Sequence, residues 1–223
     1  MSITKTWKSV LGILLFISAT HSGQAQSLAH QGATIEDIMP AGWLHTEAQG
    51  DLNKDGIMDL VVVATPNFEE NTVTRDDGYV YNFNQPILAI YFGSSQGQQQ
   101  LWKRYDKVIP ADESENCHHD IGLEITSRGT LRISVQLFCS AGSYSTSTDT
   151  YTYRYQDGDF YLIGMDHVEM MRNTGECTTV SENYLTRKRQ VVKSNAFDET
   201  IPSTEKWSKL AKKPLEKLGA REF

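Results

Sequence analysis

Between Gly50 and Leu60, side chains that carry oxygen recur at every second position: Asp51, Asn53 and Asp55, with Asp59 four residues further on. Calcium is a hard cation that takes roughly 6–8 oxygens at about 2.3–2.6 Å. Alternate side chains reach a common centre when the backbone curls around such an ion, and Gly56 permits the sharp bend after the third of them. The Ile57 carbonyl supplies the next oxygen and Asp59 closes the curl. Leu52, Ile57 and Leu60 are apolar and anchor the loop to a core. The residue types and spacing therefore predict one Ca2+ held by Asp51, Asn53, Asp55, Ile57 and Asp59. The competing interpretation is an Asp/Asn-rich turn that caps a strand without metal.

A second group of metal-capable side chains, Glu113, Glu115, His118, His119 and Asp120, is the alternative seat of chemistry, as the site of a secreted hydrolase. Such a site needs two or three of them to converge. On an extended strand the neighbours His118 and His119 point to opposite faces, so at most one serves a given site. No Gly-x-Ser-x-Gly elbow and no phosphate-cradling glycine loop occurs in the chain. The expectation is a non-enzymatic protein.

The opening of the 51–59 stretch is like that of an EF-hand, but an EF-hand requires Glu at loop position 12 and a helix after it. Position 12 here is Val62, inside the run Leu60-Val61-Val62-Val63. The segment instead resembles the calcium loop of FG-GAP/VCBS repeats, found in integrin α-chain propellers and in secreted bacterial proteins. The pattern there is Asp-x-Asp/Asn-x-Asp-Gly-x-x-Asp-Leu followed by a strand. Asp51, Asn53, Asp55, Gly56, Asp59 and Leu60 match it. The family's downstream strand ending in Phe-Gly is matched by Ile90-Tyr91-Phe92-Gly93-Ser94, with Gly97 beyond. The resemblance covers residues 50–97 and implies that Asp51, Asn53, Asp55, Asp59 and the Ile57 carbonyl are the metal ligands. It occurs once, whereas a propeller needs at least about four blades. It implies a single propeller-blade-like calcium unit joined to a β-meander.

The N-terminus sets the compartment. Lys5 and Lys8 precede an uncharged apolar run at 10–19 (VLGILLFISA) and a short polar stretch ending Gly23-Gln24-Ala25. This reads as a signal peptide of residues 1–25 cleaved after Ala25. A membrane anchor is the alternative, but the run is half the roughly 20 residues that span a bilayer. Residues 26–223 remain, a size for one domain. Removing Lys5 and Lys8 makes the formal charge of −7 more negative by two. That balance disfavours nucleic acid as a partner. The expected protein is periplasmic or secreted, without a transmembrane anchor once processed, monomeric, with a protein or glycan ligand.

These residues need a scaffold, and strand signals dominate after Asp59. The apolar runs 60–64 (LVVVA) and 87–92 (ILAIYF) are strands, separated by a polar stretch 67–84 that reads as a long surface loop. Further strands are expected at 102–108, 121–126, 131–139, 150–155 and 160–165. Asp157-Gly158 is set for a tight hairpin turn, and 184–186 with 190–193 form a final hairpin. Ser127-Arg128-Gly129 fits a three-residue hairpin loop. In that register Ile125 faces Leu131, Leu123 faces Ile133 and Ile121 faces Val135, so the apolar residues share one face. Continuing it sets Cys117 opposite Cys139, close enough for a disulfide. Cys139–Cys177 and three free thiols are the alternatives.

Helix is scarce: a short turn at 33–38, and a tail at 204–218 with Trp207, Leu210, Ala211, Leu215 and Leu218 at roughly helical spacing. That basic segment, 204–223, either presents a helix to a partner or membrane surface or packs Trp207 and Leu215 on the sheet. Tyr151, Tyr153 and Tyr155 line one strand face, as a sugar- or peptide-stacking surface or as core. The fold class expected is mainly β, an antiparallel meander or sandwich with few helices.

Overall fold

The computed structural model describes residues 27–221, so the leader predicted at 1–25 lies outside the described residues. The fold is mainly β and antiparallel. The strands in chain order are β1 (Gln31–Gly32), β2 (Leu44–Gly50), β3 (Asp59–Thr65), β4 (Thr72–Thr74), β5 (Val80–Asn82), β6 (Ile87–Gly93) and β7 (Gln99–Tyr105). They continue with β8 (Cys117–Ile125), β9 (Thr130–Cys139), β10 (Ser145–Gln156), β11 (Asp159–Met171), β12 (Glu176–Asn183), β13 (Lys188–Asn195) and β14 (Thr204–Lys209). One sheet has the order β1-β7-β6-β3-β2, and a larger one runs β14 to β8 as a continuous meander. A separate hairpin, β4–β5, occupies the stretch expected to be plain loop.

The two long apolar runs are explained by burial on both faces. A strand with one wet face alternates, whereas one buried on both sides is apolar throughout. In β3, Val61 and Val63 face the large sheet and pack with Leu88, Ile90, Leu131, Ile133, Tyr153 and Phe160. Leu60, Val62 and Ala64 face the other way, against Ala89, Tyr91, Leu28, Ile38 and Trp43. Ile38 comes from a single-turn helix, α1 (Ile35–Ile38), started by Thr34, whose hydroxyl takes the Asp37 N–H while Asp37 accepts the Thr34 N–H. Burying each such aliphatic side chain contributes about 1.5–3 kcal/mol.

The large sheet shows the expected alternation. β8 and β9 pair Ile125 with Leu131, Leu123 with Ile133, Ile121 with Val135 and Cys117 with Cys139, as predicted. Gly129, at φ 70°, closes the intervening loop, and Thr126 N–H donates to Thr130 O at 3.0 Å. Asp157 and Gly158 both sit at positive φ (51° and 76°) between β10 and β11, as a type I′ turn requires.

Three expectations are corrected. The hairpin after β11 pairs β12 with β13, and 184–186 belong to the turn between them, because Asn183 pairs with Lys188. The strand expected at 102–108 begins earlier, as β7. The tail is not helical: residues 204–209 form the edge strand β14. There Trp207 is exposed, and Leu218 is the tail's buried anchor. Of the two readings of the tyrosine row, core packing holds: Tyr151 and Tyr153 are buried and Tyr155 packs edge-on and tilted against Phe92 and Phe160.

Candidate metal centre

Loop 51–59 links β2 to β3. Lys54 and Gly56 adopt positive φ (65° and 85°), and these two left-handed residues turn the chain back on itself. The backbone N–H groups inside the curl are satisfied by its own side chains. Asp51 Oδ1 accepts from Lys54 N at 2.7 Å and Asp51 Oδ2 from Gly56 N at 3.0 Å. Asn53 Oδ1 accepts from Asp55 N at 3.0 Å, and Asp55 Oδ1 accepts from Ile57 N at 2.8 Å. Asn53 Nδ2 donates to Asp55 Oδ2 at 2.9 Å. Asp51, Asn53 and Asp55 are thus brought together and fixed in orientation by the loop's own backbone.

Asp59 is placed differently. It is fully buried. Its Oδ2 accepts from Leu52 N at 2.7 Å and from Asn53 N at 3.4 Å, and its Oδ1 accepts from Gly93 N at 3.0 Å. The carboxylate therefore ties the start of the loop to the end of β6, the Phe92-Gly93 element. Burial pushes the Asp59 carboxyl above the usual carboxylate range, against the downward pull of those three N–H bonds. No cationic side chain pairs with it among the described residues.

The chemistry of this donor set suits a hard divalent cation. Two carboxylates and an amide oxygen are preset at i, i+2 and i+4, and a carboxylate oxygen that accepts one N–H retains a lone pair for a metal. The buried Asp59 carboxylate, bonded to the Leu52 and Asn53 N–H groups and without a cationic partner among the described residues, carries negative charge that a cation offsets. Among the described residues no group of three or more His, Cys, Asp or Glu side chains gathers to hold a metal on those types alone. A site at 51–59 accordingly depends on Asn53 and the Ile57 carbonyl as well as on aspartates.

Close approaches wedge the loop between the two sheets. A Cβ on Gly93 would lie 2.2 Å from the Met58 carbonyl, and one on Gly129 would lie 2.7 Å from the Asp51 carbonyl. Gln99 Nε2 adds a bond to Met58 O at 2.9 Å. The part of Gly93 was legible only as the Phe-Gly element. Gly129 is marked by its spacing as a turn residue, and nothing in the sequence marks it as a neighbour of loop 51–59.

The second cluster does not converge. His119 Nδ1 lies 2.9 Å from Asp112 Oδ1, and the Asp112 carboxylate also accepts the His119 N–H at 2.8 Å. His118 lies on the opposite face of β8, 3.7 Å from Asp120 and against the Phe138 ring. Glu113 and Glu115 are exposed. Nothing in the residue spacing marks Asp112 as the His119 partner, nor a similar pair, His167 Nδ1 to Asp149 Oδ1 at 2.7 Å, built by direct opposition of β10 and β11. Nearby, the predicted disulfide joins Cys117 to Cys139 across a Cα–Cα distance of 4.0 Å, and Cys177 is free.

Comparison of the chain with protein-family models, with curated proteins and with solved structures gave no match.

Proposed function

We propose that this chain is an exported, non-enzymatic binding or envelope protein whose N-terminal β unit is fastened by one calcium ion in loop 51–59. The observation that carries the proposal is the self-organised curl above a buried carboxylate without a cationic partner. Its neighbours support it. β2, β3, β6 and β7 form an up-and-down meander with the loop at its first turn, the arrangement of a propeller blade. The Cys117–Cys139 disulfide suits an oxidising compartment. The ion's role on this reading is structural: it neutralises aspartates that otherwise repel one another, so folding and calcium binding are linked.

Thermal melting in calcium and in chelator, with metal analysis of the purified protein, tests the reading. Free calcium at about 100 times Kd adds about 2.7 kcal/mol. For a domain of this size that raises the midpoint by roughly 5–10 °C. An unchanged midpoint with no calcium carried through purification rejects the metal.

The rival reading, a hydrolase, draws on the His119–Asp112 pair. A screen against ester, peptide and glycan substrates, repeated with His119→Ala, decides it. An activity lost in that variant replaces the binding-protein reading.

A further inference from the structure

The face of the large sheet turned away from the core carries a row of side chains that neither the metal loop nor the core uses. The strand register sets Trp207 opposite Gln190, Gln190 opposite Ser181, and Ser181 opposite Asp166. The next row sets Lys188 opposite Asn183 and Asn183 opposite Gly164. Having no side chain, Gly164 leaves a bare floor. The result is a trough of about 380 Å3 with Trp207 at its rim, within the roughly 300–1,000 Å3 of small-ligand sites.

Three properties of this trough point to one class of occupant. First, the Trp207 indole is 57% exposed, yet it is held in place. Its Nε1 donates to the Glu205 carboxylate, which also accepts from Gln190 Nε2 at 2.9 Å. A large apolar ring fixed in water is a platform for a flat, weakly apolar ligand face. Second, the side chains of Asp166, Ser181 and Lys188 make no hydrogen bond or ion pair among the described residues. They offer free donors and acceptors beside the ring, as a polyhydroxyl ligand needs. Third, the charges leave only a small acidic excess. Lys188 offsets Asp166, and the Glu205 carboxylate at the rim is already engaged by Trp207 Nε1 and Gln190 Nε2. An anionic ligand therefore gains no attraction here, and a neutral one pays no desolvation penalty for a charge of its own.

We propose that this trough binds a neutral sugar ring of a polysaccharide, its C–H face on Trp207 and its hydroxyls on Asp166, Ser181, Gln190 and Lys188. The proposal rests on the reading of the chain as an exported binding protein and names its ligand class. An extended acidic peptide laid along the free edge of β14 is the competing occupant. It would be recognised by charge and main chain, where the sugar is recognised by ring stacking.

Tryptophan emission reports on the site directly, because Trp43 is buried and Trp102 packs into the core, leaving Trp207 as the strongly exposed tryptophan among the described residues. The probes are soluble hexasaccharides of glucose, mannose, xylose and N-acetylglucosamine, titrated into the full protein in saturating calcium. Expected is a saturable emission change with at least one of them that persists in about 0.5 M NaCl, where exposed charge interactions are screened. Trp207→Ala, assayed by calorimetry, weakens that binding at least about tenfold without changing the melting midpoint appreciably. Gln190→Ala, a second variant, weakens it by a smaller factor. The proposal is overturned if none of the four sugars binds, if Trp207→Ala binds as tightly as the parent, or if only acidic peptides bind and salt abolishes the signal. The same samples are melted with and without chelator. A calcium shift without sugar binding sinks the trough alone, and sugar binding without a calcium shift sinks the metal alone.

Discussion

Asp59→Asn separates what the buried carboxylate does for the fold from what the loop does for the ion. In the parent, one oxygen of Asp59 takes the Leu52 and Asn53 N–H groups and the other takes that of Gly93. Asparagine keeps one carbonyl oxygen and sets an NH2 group against the remaining N–H. A hydrogen bond to a charged acceptor is worth about 1.5–3 kcal/mol, and an unmet buried donor costs a further 1–3 kcal/mol or so. Against this, burial raises the Asp59 carboxyl above its ordinary value, so removing the charge relieves part of a desolvation cost. The net loss is at the low end, about 2 kcal/mol, or roughly 4–8 °C in midpoint for a domain of this size. It is expected in chelator, with no metal present. Asp55 is exposed, and Asp55→Ala should cost under about 1 kcal/mol in chelator. In calcium the gap widens: the parent gains several degrees and Asp55→Ala gains none. Differential scanning calorimetry of the three proteins in both buffers gives the full matrix. If Asp59→Asn melts with the parent in chelator, the carboxylate is not a clamp. If Asp55→Ala keeps the whole calcium shift, the ligand set is wrong.

Three other outcomes are expected. Cys117 and Cys139 are 22 residues apart; on the loop-entropy estimate, reducing the bond or making Cys117→Ser with Cys139→Ser costs about 3 kcal/mol, read as a lower urea midpoint than that of the oxidised parent. Gly93→Ala forces its new Cβ to within 2.2 Å of the Met58 carbonyl and 2.7 Å of Ile57 Cγ2; it should cost about 2–3 kcal/mol and weaken calcium binding by displacing the loop, and a variant with parental stability and calcium titration contradicts the close approach. Burial pushes the Tyr91 hydroxyl, which donates to Ala29 O at 2.9 Å, up to about 12. The sign follows: a raised folded value leaves stability intact below the unfolded value near 10 and removes it as pH climbs to about 12, by about 2–3 kcal/mol. Urea melts from pH 9 to about 12 should show this loss, with phenolate absorbance appearing together with unfolding, and Tyr91→Phe should make it shallower.

Where burial leaves a pattern in the residues, the fold was legible. The β8–β9 register followed from Ile121, Leu123 and Ile125 needing one face, and the cysteine pairing followed from the register. β3 and β6 were visible as apolar runs because both their faces are covered. β2 (LHTEAQG), β12 (ECTTVSEN) and β14 (TEKWSK) were not visible, since they owe their places to backbone pairing and bury little side chain. A strand of that kind looks like loop to any test based on hydrophobic period. The tail's helical spacing misled for a related reason. Trp207 and Leu218 do face defined surroundings, but on two different sides of a chain that Pro214 keeps extended.

At loop 51–59, donor types and spacing were legible, but not which donors look outward. Asp51, Asn53 and Asp55 are oriented by N–H groups within six residues, so local spacing contains the whole instruction. The orientation of Asp59 depends on Gly93, 34 residues away, which can approach only because it has no Cβ. The same dependence gives an ion at this loop consequences beyond it. The Asp51 carbonyl abuts Gly129 at the β8–β9 turn of the large sheet, and the Met58 carbonyl abuts Gly93 of the small one. A cation that stiffens the curl therefore stiffens the seam between two sheets whose facing side chains form the main core. Its binding energy should be felt in global unfolding, and not only in the local order of nine residues.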